Sequence, residues 1–279
     1  VGTSTVLHLC SRAMADSEKF AVLRRCARIW AVAAIHGEAE RLAAIHDAIA
    51  SRFAPGDRLV YLGNYLGHGP DVIGTVDELL RFRREVIARP LMFAADVVYL
   101  RGRQEEMWQK LQQLQFAVNP REVLEWMLAH GVDATLAAYG ADARKGLAAT
   151  REGAVSITRW TNGLRAAVAS RPGHRELMSA LKRAASTDDG QLLFVHAGVD
   201  VTRPLAAQAD ALWWGAPGFG CWGAPYDGFR LVVRGYDPAG GGPAYQPYGL
   251  TIDAGAGRGG PLVAVCLSPA GEILEQLQA

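Results

Sequence analysis

Five short polar stretches carry the side chains that could do chemistry: AAIHG (33–37), GNYLGHG (63–69), RGRQE (101–105), HAG (196–198) and RGYDP (234–238). Between them they offer the imidazoles of His36, His68 and His196, the guanidiniums of Arg103 and Arg234, and the amides of Asn64 and Gln104. Two imidazoles are a start on a metal site, and His36 and His196 could hold zinc with Asn64 or Gln104. That set has no carboxylate or thiolate to balance an ion. Two neutral core histidines held by loop hydrogen bonds are therefore the preferred reading. Arg103 could grip a phosphate bidentately with His68 and Arg234 as neighbours, or it could fill the space between loops and bond their carbonyls. Both readings stay open.

The elements that must position these groups alternate in kind. Apolar runs at 29–35, 58–62 and 96–100 read as buried strands. Each is followed by a glycine-containing loop and then a helical stretch, at 38–53, at 71–88 and from about 105. Residues 104–186 are expected to be mostly helical, including the segment 174–186. Strands return at 191–195, 230–233, 248–252 and 261–267, and the Gly/Pro-rich stretches 215–228 and 235–247 are expected to be surface loops. Strand, loop and helix in repetition give an α/β fold with the loops gathered at one sheet edge.

The order of the five loops closely resembles the motifs GDxHG, GDxxDRG, GNHE, HAG and GHTP of the calcineurin-type metallophosphoesterases, in the bacterial serine/threonine phosphatase branch. The likeness extends over 29–279. It includes Trp126, Gly131, Thr135, Leu136, Tyr139 and Gly140 in the helical insert, the LW pair at 212–213, and IDAGAGRGG (252–260), which is similar to an LDTGA segment. The resemblance implies a four-layer αββα sandwich, two mixed β-sheets flanked by helices, with a mostly helical insert at about 104–186. It also implies two divalent metals, such as manganese, iron or zinc, that activate water and clamp phosphate.

Matched position by position, the metal site is dismantled. Ala34 stands in place of an aspartate, Asn64 in place of the bridging aspartate, Arg103 in place of an asparagine ligand and Tyr236 in place of a histidine ligand. Of six implied ligands only His36 and His196 remain, so the remnant ligand positions are His36, Asn64 and His196. Gln104 occupies the position of the catalytic histidine acid. Gly67 and His68 replace the aspartate and arginine of DRG, and Gly215 replaces a second phosphate-binding arginine. Eight altered positions at one site, within an intact hydrophobic pattern, are not a point inactivation. The changes also agree electrostatically, because aspartates kept without metals would be buried and uncompensated.

Smaller features have two readings each. Glu105 and Glu106 match the glutamates of GNHEE, but a carboxylate at a helix start is also ordinary dipole compensation. Trp213, Trp214, Phe219 and Trp222 read either as a cover over the former cleft, which is preferred, or as a partner-binding patch. HAG can persist because its turn needs small residues.

Composition limits the partners. Lysine plus arginine number 29 and aspartate plus glutamate 28, a net charge of +1, which argues for no nucleic acid and no anionic membrane surface. Cys10, Cys26, Cys221 and Cys266 form no CxxC pair and are expected to be reduced thiols of a cytoplasmic protein. Residues 1–28 lack signal-peptide character and are expected to be an N-terminal extension, in part added or an extended start, with the domain at 29–279. The resulting expectation is a pseudophosphatase with no catalytic residue and no cofactor. It would bind an unidentified protein partner, or a phosphate, sulfate or phosphorylated ligand, through Arg103, His36, His68, His196 and Arg234. The alternatives are a divergent phosphoesterase acting on phosphoproteins or nucleotides with an altered or single-metal site, and a structural role with the cleft occluded.

Overall fold

The computed structural model describes residues 19–279, in two mixed β-sheets. One sheet has the order β11 (Ile273–Gln278), β10 (Val263–Leu267), β2 (Arg28–Val32), β3 (Asp57–Tyr61) and β4 (Val97–Tyr99). Strands β2, β3 and β4 run parallel, and β10 is antiparallel to both its neighbours. The other sheet has the order β1 (Phe20–Leu23), β5 (Ala184–Thr187), β6 (Leu192–Val195), β7 (Leu231–Arg234), β9 (Gly249–Thr251) and β8 (Ala244–Gln246). Here β6, β7 and β9 are parallel.

Strand alternation explains why the apolar runs are continuous. Ile29 and Ala31 of β2, Val60 of β3 and Val263, Val265 and Leu267 of β10 meet Leu192 and Phe194 of β6 and Val233 of β7 between the sheets. The alternate residues Trp30, Val32, Leu59, Tyr61, Ala264 and Cys266 face the helical layer. On the far side of the second sheet, Leu193, Val195 and Val232 pack on Leu212, Trp213, Phe219 and Tyr226. A strand covered on both faces has no polar side to show.

The first helical layer is thick. Helix α1 (Ala39–Ala50) buries Leu42, Ile45 and Ile49 at helical spacing. Helix α2 (Val72–Ile87) starts at Asp71, whose carboxylate accepts the Gly74 N–H, and buries Val76, Leu79 and Phe82. After β4 come α3 (Arg103–Leu111), α4 (Pro120–Met127), α5 (Asp133–Ala138), α6 (Ala143–Glu152), α7 (Ala154–Ala169) and α8 (His174–Ala180). Opposite them the outer layer is thin, consisting of α9 (Ala211–Trp214) and aromatic-bearing loops. No helix among the described residues is long and apolar enough to cross a membrane.

Three expectations are corrected. The ordered domain does not begin at residue 29: β1 pairs in parallel with β5, from Phe20↔Ala184 to Leu23↔Thr187. The stretch FAVL is too short for a periodic signal, and its pairing is long-range. Residues 1–18 of the expected extension, with Cys10, lie outside the described residues. The helical insert ends at Ala180, and Ala184–Thr187 is a strand. Alanine-rich sequence favours helix locally, but two flanking strands override it. Within the expected loop 235–247, Ala244–Gln246 forms an edge strand on β9. The final strand β11 pairs antiparallel with β10 at the edge of its sheet.

If β1 belongs to the cooperative fold, Leu23, which is fully buried between the sheets, must contribute to stability. Leu23→Ala should cost roughly 2–4 kcal/mol in urea unfolding. A change below about 0.5 kcal/mol, the range of exposed surface sites, would mean that β1 is detached.

Candidate functional site

All five loops emerge at the carboxyl ends of β2, β3, β4, β6 and β7, and backbone hydrogen bonds lace them together. The N–H groups of Ile35 and His36 donate to Asn64 O, Gly37 N–H to Tyr65 O, Ala34 N–H to Gly235 O, and Tyr236 N–H to His196 O. The centre of this lacing is Glu105. Its Oε2 accepts from Gly102 N at 2.8 Å and Asn64 N at 2.9 Å, and its Oε1 from Tyr65 N at 2.8 Å and Leu66 N at 3.1 Å. Burial pushes its pKa up while these four N–H groups oppose the shift. Glu105 thus does far more than compensate a helix dipole.

Side chains extend the network inward. Asn64 Oδ1 accepts from Gln104 N at 2.9 Å, and Asn64 Nδ2 lies 3.2 Å from His36 Nε2. Gln104 Nε2 donates to His130 O at 2.8 Å, and the Gln104 side chain occupies the space over Gly67, where a Cβ would sit 2.5 Å from its Cδ. In the same way a Cβ on Gly131 would lie 2.5 Å from the ring of His68. The changes at positions 67 and 104 are therefore one packing solution. His36, Asn64 and His68 all have positive φ, between 51° and 56°. That conformation costs a side-chain-bearing residue on the order of 1 kcal/mol and needs surrounding bonds to persist.

The sequence-derived residues mostly converge. His196 is fully buried, with Nδ1 2.6 Å from Leu62 O. The Tyr236 ring stacks on His196 at 5.2 Å and meets His36 edge-on at 5.8 Å. His68, which is exposed, lies 5.1 Å from His36, centroid to centroid. Ala34, Ala197 and Tyr236 form a small apolar cluster at the heart of the site. Gly215 caps α9 with its backbone against Ala197. Arg103, the first residue of α3, stacks its guanidinium over Trp214 at 4.9 Å and near Trp126 at 5.9 Å.

The aromatic group divides. Trp214 covers Arg103, whereas Trp213 and Phe219 are buried in the outer core with Trp222 against them.

Arg234 departs from the expectation that it joins the cleft free of carboxylates. Its Nη2 is 2.5 Å from Asp237 Oδ2, its Nε donates to Thr251 Oγ1 at 2.8 Å, and it stacks on Phe219. Position 234 ends β7, and its side chain turns to the neighbouring strand β9. The second cation at the cleft is Arg258, which the sequence reading missed. It lies 5.1 Å over Tyr236 and is paired with buried Asp253 at 2.5 Å. Its signal was available in the segment IDAGAGRGG, whose Gly257 packs on His36.

Electrostatics keep the imidazoles neutral. Burial lowers the pKa of His36 well below the usual value, with His68, His196, Arg258 and Arg103 adding to it. Burial lowers His196 to about 4, against the partial support of Leu62 O and with Arg103 adding. His68 is also lowered, chiefly by desolvation.

No protein family and no curated protein matches this sequence. Solved structures match in shape over nearly the whole chain. A candidate diadenosine tetraphosphatase superposes with a TM-score of 0.55 at 19% identity, covering 94% of this chain and 98% of that one. A protein serine/threonine phosphatase from Saccharomyces cerevisiae gives 0.50 at 12% identity, covering 96% and 86%. A cold-active protein-tyrosine phosphatase of the psychrophile Shewanella sp. gives 0.50 at 12% identity, covering 94% and 83%. The chain has the metallophosphoesterase fold. At these identities the likeness concerns fold and not activity.

The metallophosphoesterase fold implies two divalent ions at these loop ends, and the residues present do not fit them. Hard ions need oxygen and imidazole ligands carrying enough negative charge. Here the positions offer a methyl group, a neutral amide, a phenol ring and a guanidinium. Among the described residues no group of three His, Cys, Asp or Glu side chains is placed to hold a metal ion. No catalytic step can be derived through such ions.

Two predictions follow from burial. In the window between the ordinary imidazole pKa of 6.5 and about 4, the unfolded chain protonates at position 196 and the folded chain does not. Stability is therefore complete above pH 6.5 and is lost as pH falls toward 4, by about 1.4 kcal/mol per unit while the difference lasts. His196→Asn, which can keep the bond to Leu62 O, should flatten the urea-midpoint slope across that window. An unchanged slope would assign the acid sensitivity to other groups. Separately, Ala34→Asp with Asn64→Asp places two carboxylates at positions that are fully buried. The double variant should lose roughly 1–4 kcal/mol in chelator. An unchanged denaturation midpoint would mean that water reaches the cavity.

Proposed function

We propose that this chain is a non-catalytic phosphatase-like protein, needing no metal, that binds a phosphate-type anion or a phosphorylated ligand through the remodelled cleft. The observation that supports this reading is the state of Arg103. Its guanidinium has no ion pair among the described residues, its Nε is buried without a partner, and it sits at the N-terminus of α3 on two indole rings. A cation at a helix N-terminus opposes the helix dipole. An anion bound there would satisfy both the N-terminus and the guanidinium. His36, His68, His196 and the half-exposed face of Arg103 complete the proposed site, while Arg234 stands outside it.

The rival reading, a divergent phosphoesterase with an altered or single-metal site, has the activities of the fold neighbours in its favour. Against it stands the chemistry of the loops. Among the described residues no group of three metal-binding side chains could generate a metal-bound nucleophile, and Gln104, where an acid is expected, cannot donate a proton to a leaving group. A purely structural role, with Arg103 as a plug, is the third possibility, and ligand binding distinguishes it from the first.

Phosphate should raise the melting temperature of the wild-type chain, since binding confined to the folded state stabilises it by about 2.7 kcal/mol at a hundredfold excess over Kd. For a chain of this size the rise is several degrees. Arg103→Ala should remove the response without unfolding the protein, and identical responses of the two proteins would leave the arginine as a plug. Aryl phosphate in added manganese should be hydrolysed no faster than without protein. Turnover that is lost in His196→Ala and kept in a surface control would transfer the argument to the phosphoesterase reading.

A further inference from the structure

Four buried polar atoms at the cleft have no hydrogen-bond partner among the described residues: His36 Nδ1, His196 Nε2, Arg103 Nε and Gln104 Oε1. Their proton states follow from their neighbours. Leu62 O, 2.6 Å from His196 Nδ1, can only accept, so Nδ1 carries the ring proton and Nε2 presents a bare lone pair. Asn64 Oδ1 is taken by the N–H of Gln104, so Asn64 Nδ2 faces His36 and donates to Nε2. His36 Nδ1 is then the protonated nitrogen. Arg103 Nε always carries hydrogen. Gln104 Oε1 can only accept, so the unfilled set is two donors and two acceptors.

These atoms share one locality. The Tyr236 ring contacts both imidazoles, at 5.2 Å and 5.8 Å. Arg103 directly precedes Gln104, whose N–H bonds Asn64 Oδ1 while Asn64 Nδ2 contacts His36. No carboxylate competes there, since Asp253 and Asp237 are engaged by Arg258 and Arg234.

We infer that the cleft selects a protonated oxyanion, one offering acceptor oxygens to His36 and Arg103 and an O–H to His196, over an oxyanion that can only accept. This inference rests on the anion-binding reading and names its ligand class: hydrogen phosphate, or a phosphomonoester in its monoanionic form. Sulfate has the same shape as phosphate but no proton near neutral pH. Its oxygen would face the lone pair of His196, leaving a repulsive contact and an unsatisfied acceptor.

The test is titration of the full chain with sodium phosphate and with sodium sulfate at matched ionic strength and pH 7. Phosphate is expected to bind at least about tenfold more tightly, equivalent to about 1.4 kcal/mol. Phenyl phosphate should bind more tightly as pH falls through its second pKa, near about 6, and phenyl sulfate should not. His196→Asn can keep the bond to Leu62 O and deletes the lone pair at Nε2. It is expected to bind the two inorganic anions alike, still dependent on Arg103. Equal, Arg103-dependent affinity of wild type for phosphate and sulfate would overturn the selectivity while leaving anion binding intact. Binding of neither anion would end both readings and leave these atoms to water.

Discussion

The arrangement of the cleft depends on one buried carboxylate. Glu105 receives four backbone N–H groups, one from its own helix start and three from the loop that follows β3. Without it these donors would be buried and unpaired, each at a cost of about 1–3 kcal/mol. Desolvation works against the charged form and the N–H groups work for it. The loop holding Asn64, Gly67 and His68 is thereby tied to the helix bearing Arg103 and Gln104, whatever occupies the cleft. Backbone architecture and site chemistry are separable here because the tie runs through the main chain.

That separation leaves the sandwich independent of which side chains stand at the site. The loops meet through main-chain bonds from Asn64 O to Ile35 and His36, and from Gly235 O to Ala34. None of these requires a particular side chain at positions 34, 64 or 236. Side chains then had to satisfy one another without metal charge, and they do so with neutral groups. Ala34 and Tyr236 contribute apolar surface with Ala197, Asn64 pairs with His36, and Gln104 fills the volume that Gly67 leaves. Such coupling also means that single substitutions at these positions should behave poorly, since each partner is fitted to the present one.

Charge sets the remaining character of the cleft. The carboxylates near it are committed: Glu105 to backbone, Asp253 to Arg258 and to the N–H groups of Asp237 and Gly255, and Asp237 to Arg234. Of Arg103, Arg234 and Arg258, only Arg103 has no ion pair among the described residues, and it is supported by aromatic faces that stabilise a cation only modestly. Buried imidazoles around it stay neutral. The cleft is consequently positive without being acidic or metal-like, the property on which the proposed ligand chemistry rests.

The sequence pattern by itself determined an α/β fold with five loops at one sheet edge, because strands buried on both faces must be continuous apolar runs and the loops between them must be polar and glycine-bearing. The two-sheet sandwich came from the resemblance of those loops to a known family. Residue identity at 34, 64, 103 and 236 is likewise read directly, and none of these four is a carboxylate, histidine or cysteine. Tertiary structure alone decided the contributions that depend on distant partners. FAVL at 20–23 became a strand only by pairing with residues 184–187, and an alanine-rich helical signal gave way to that same pairing. Arg234 was turned from the cleft by Asp237 and Thr251, and Arg258 was brought over Tyr236. The orientation of a long, flexible side chain depends on which counter-charge lies within reach, and periodicity carries no information about that. Proton positions on His36 and His196 likewise follow from a carbonyl and an amide distant in sequence, Leu62 and Asn64, and are fixed only once the loops are assembled.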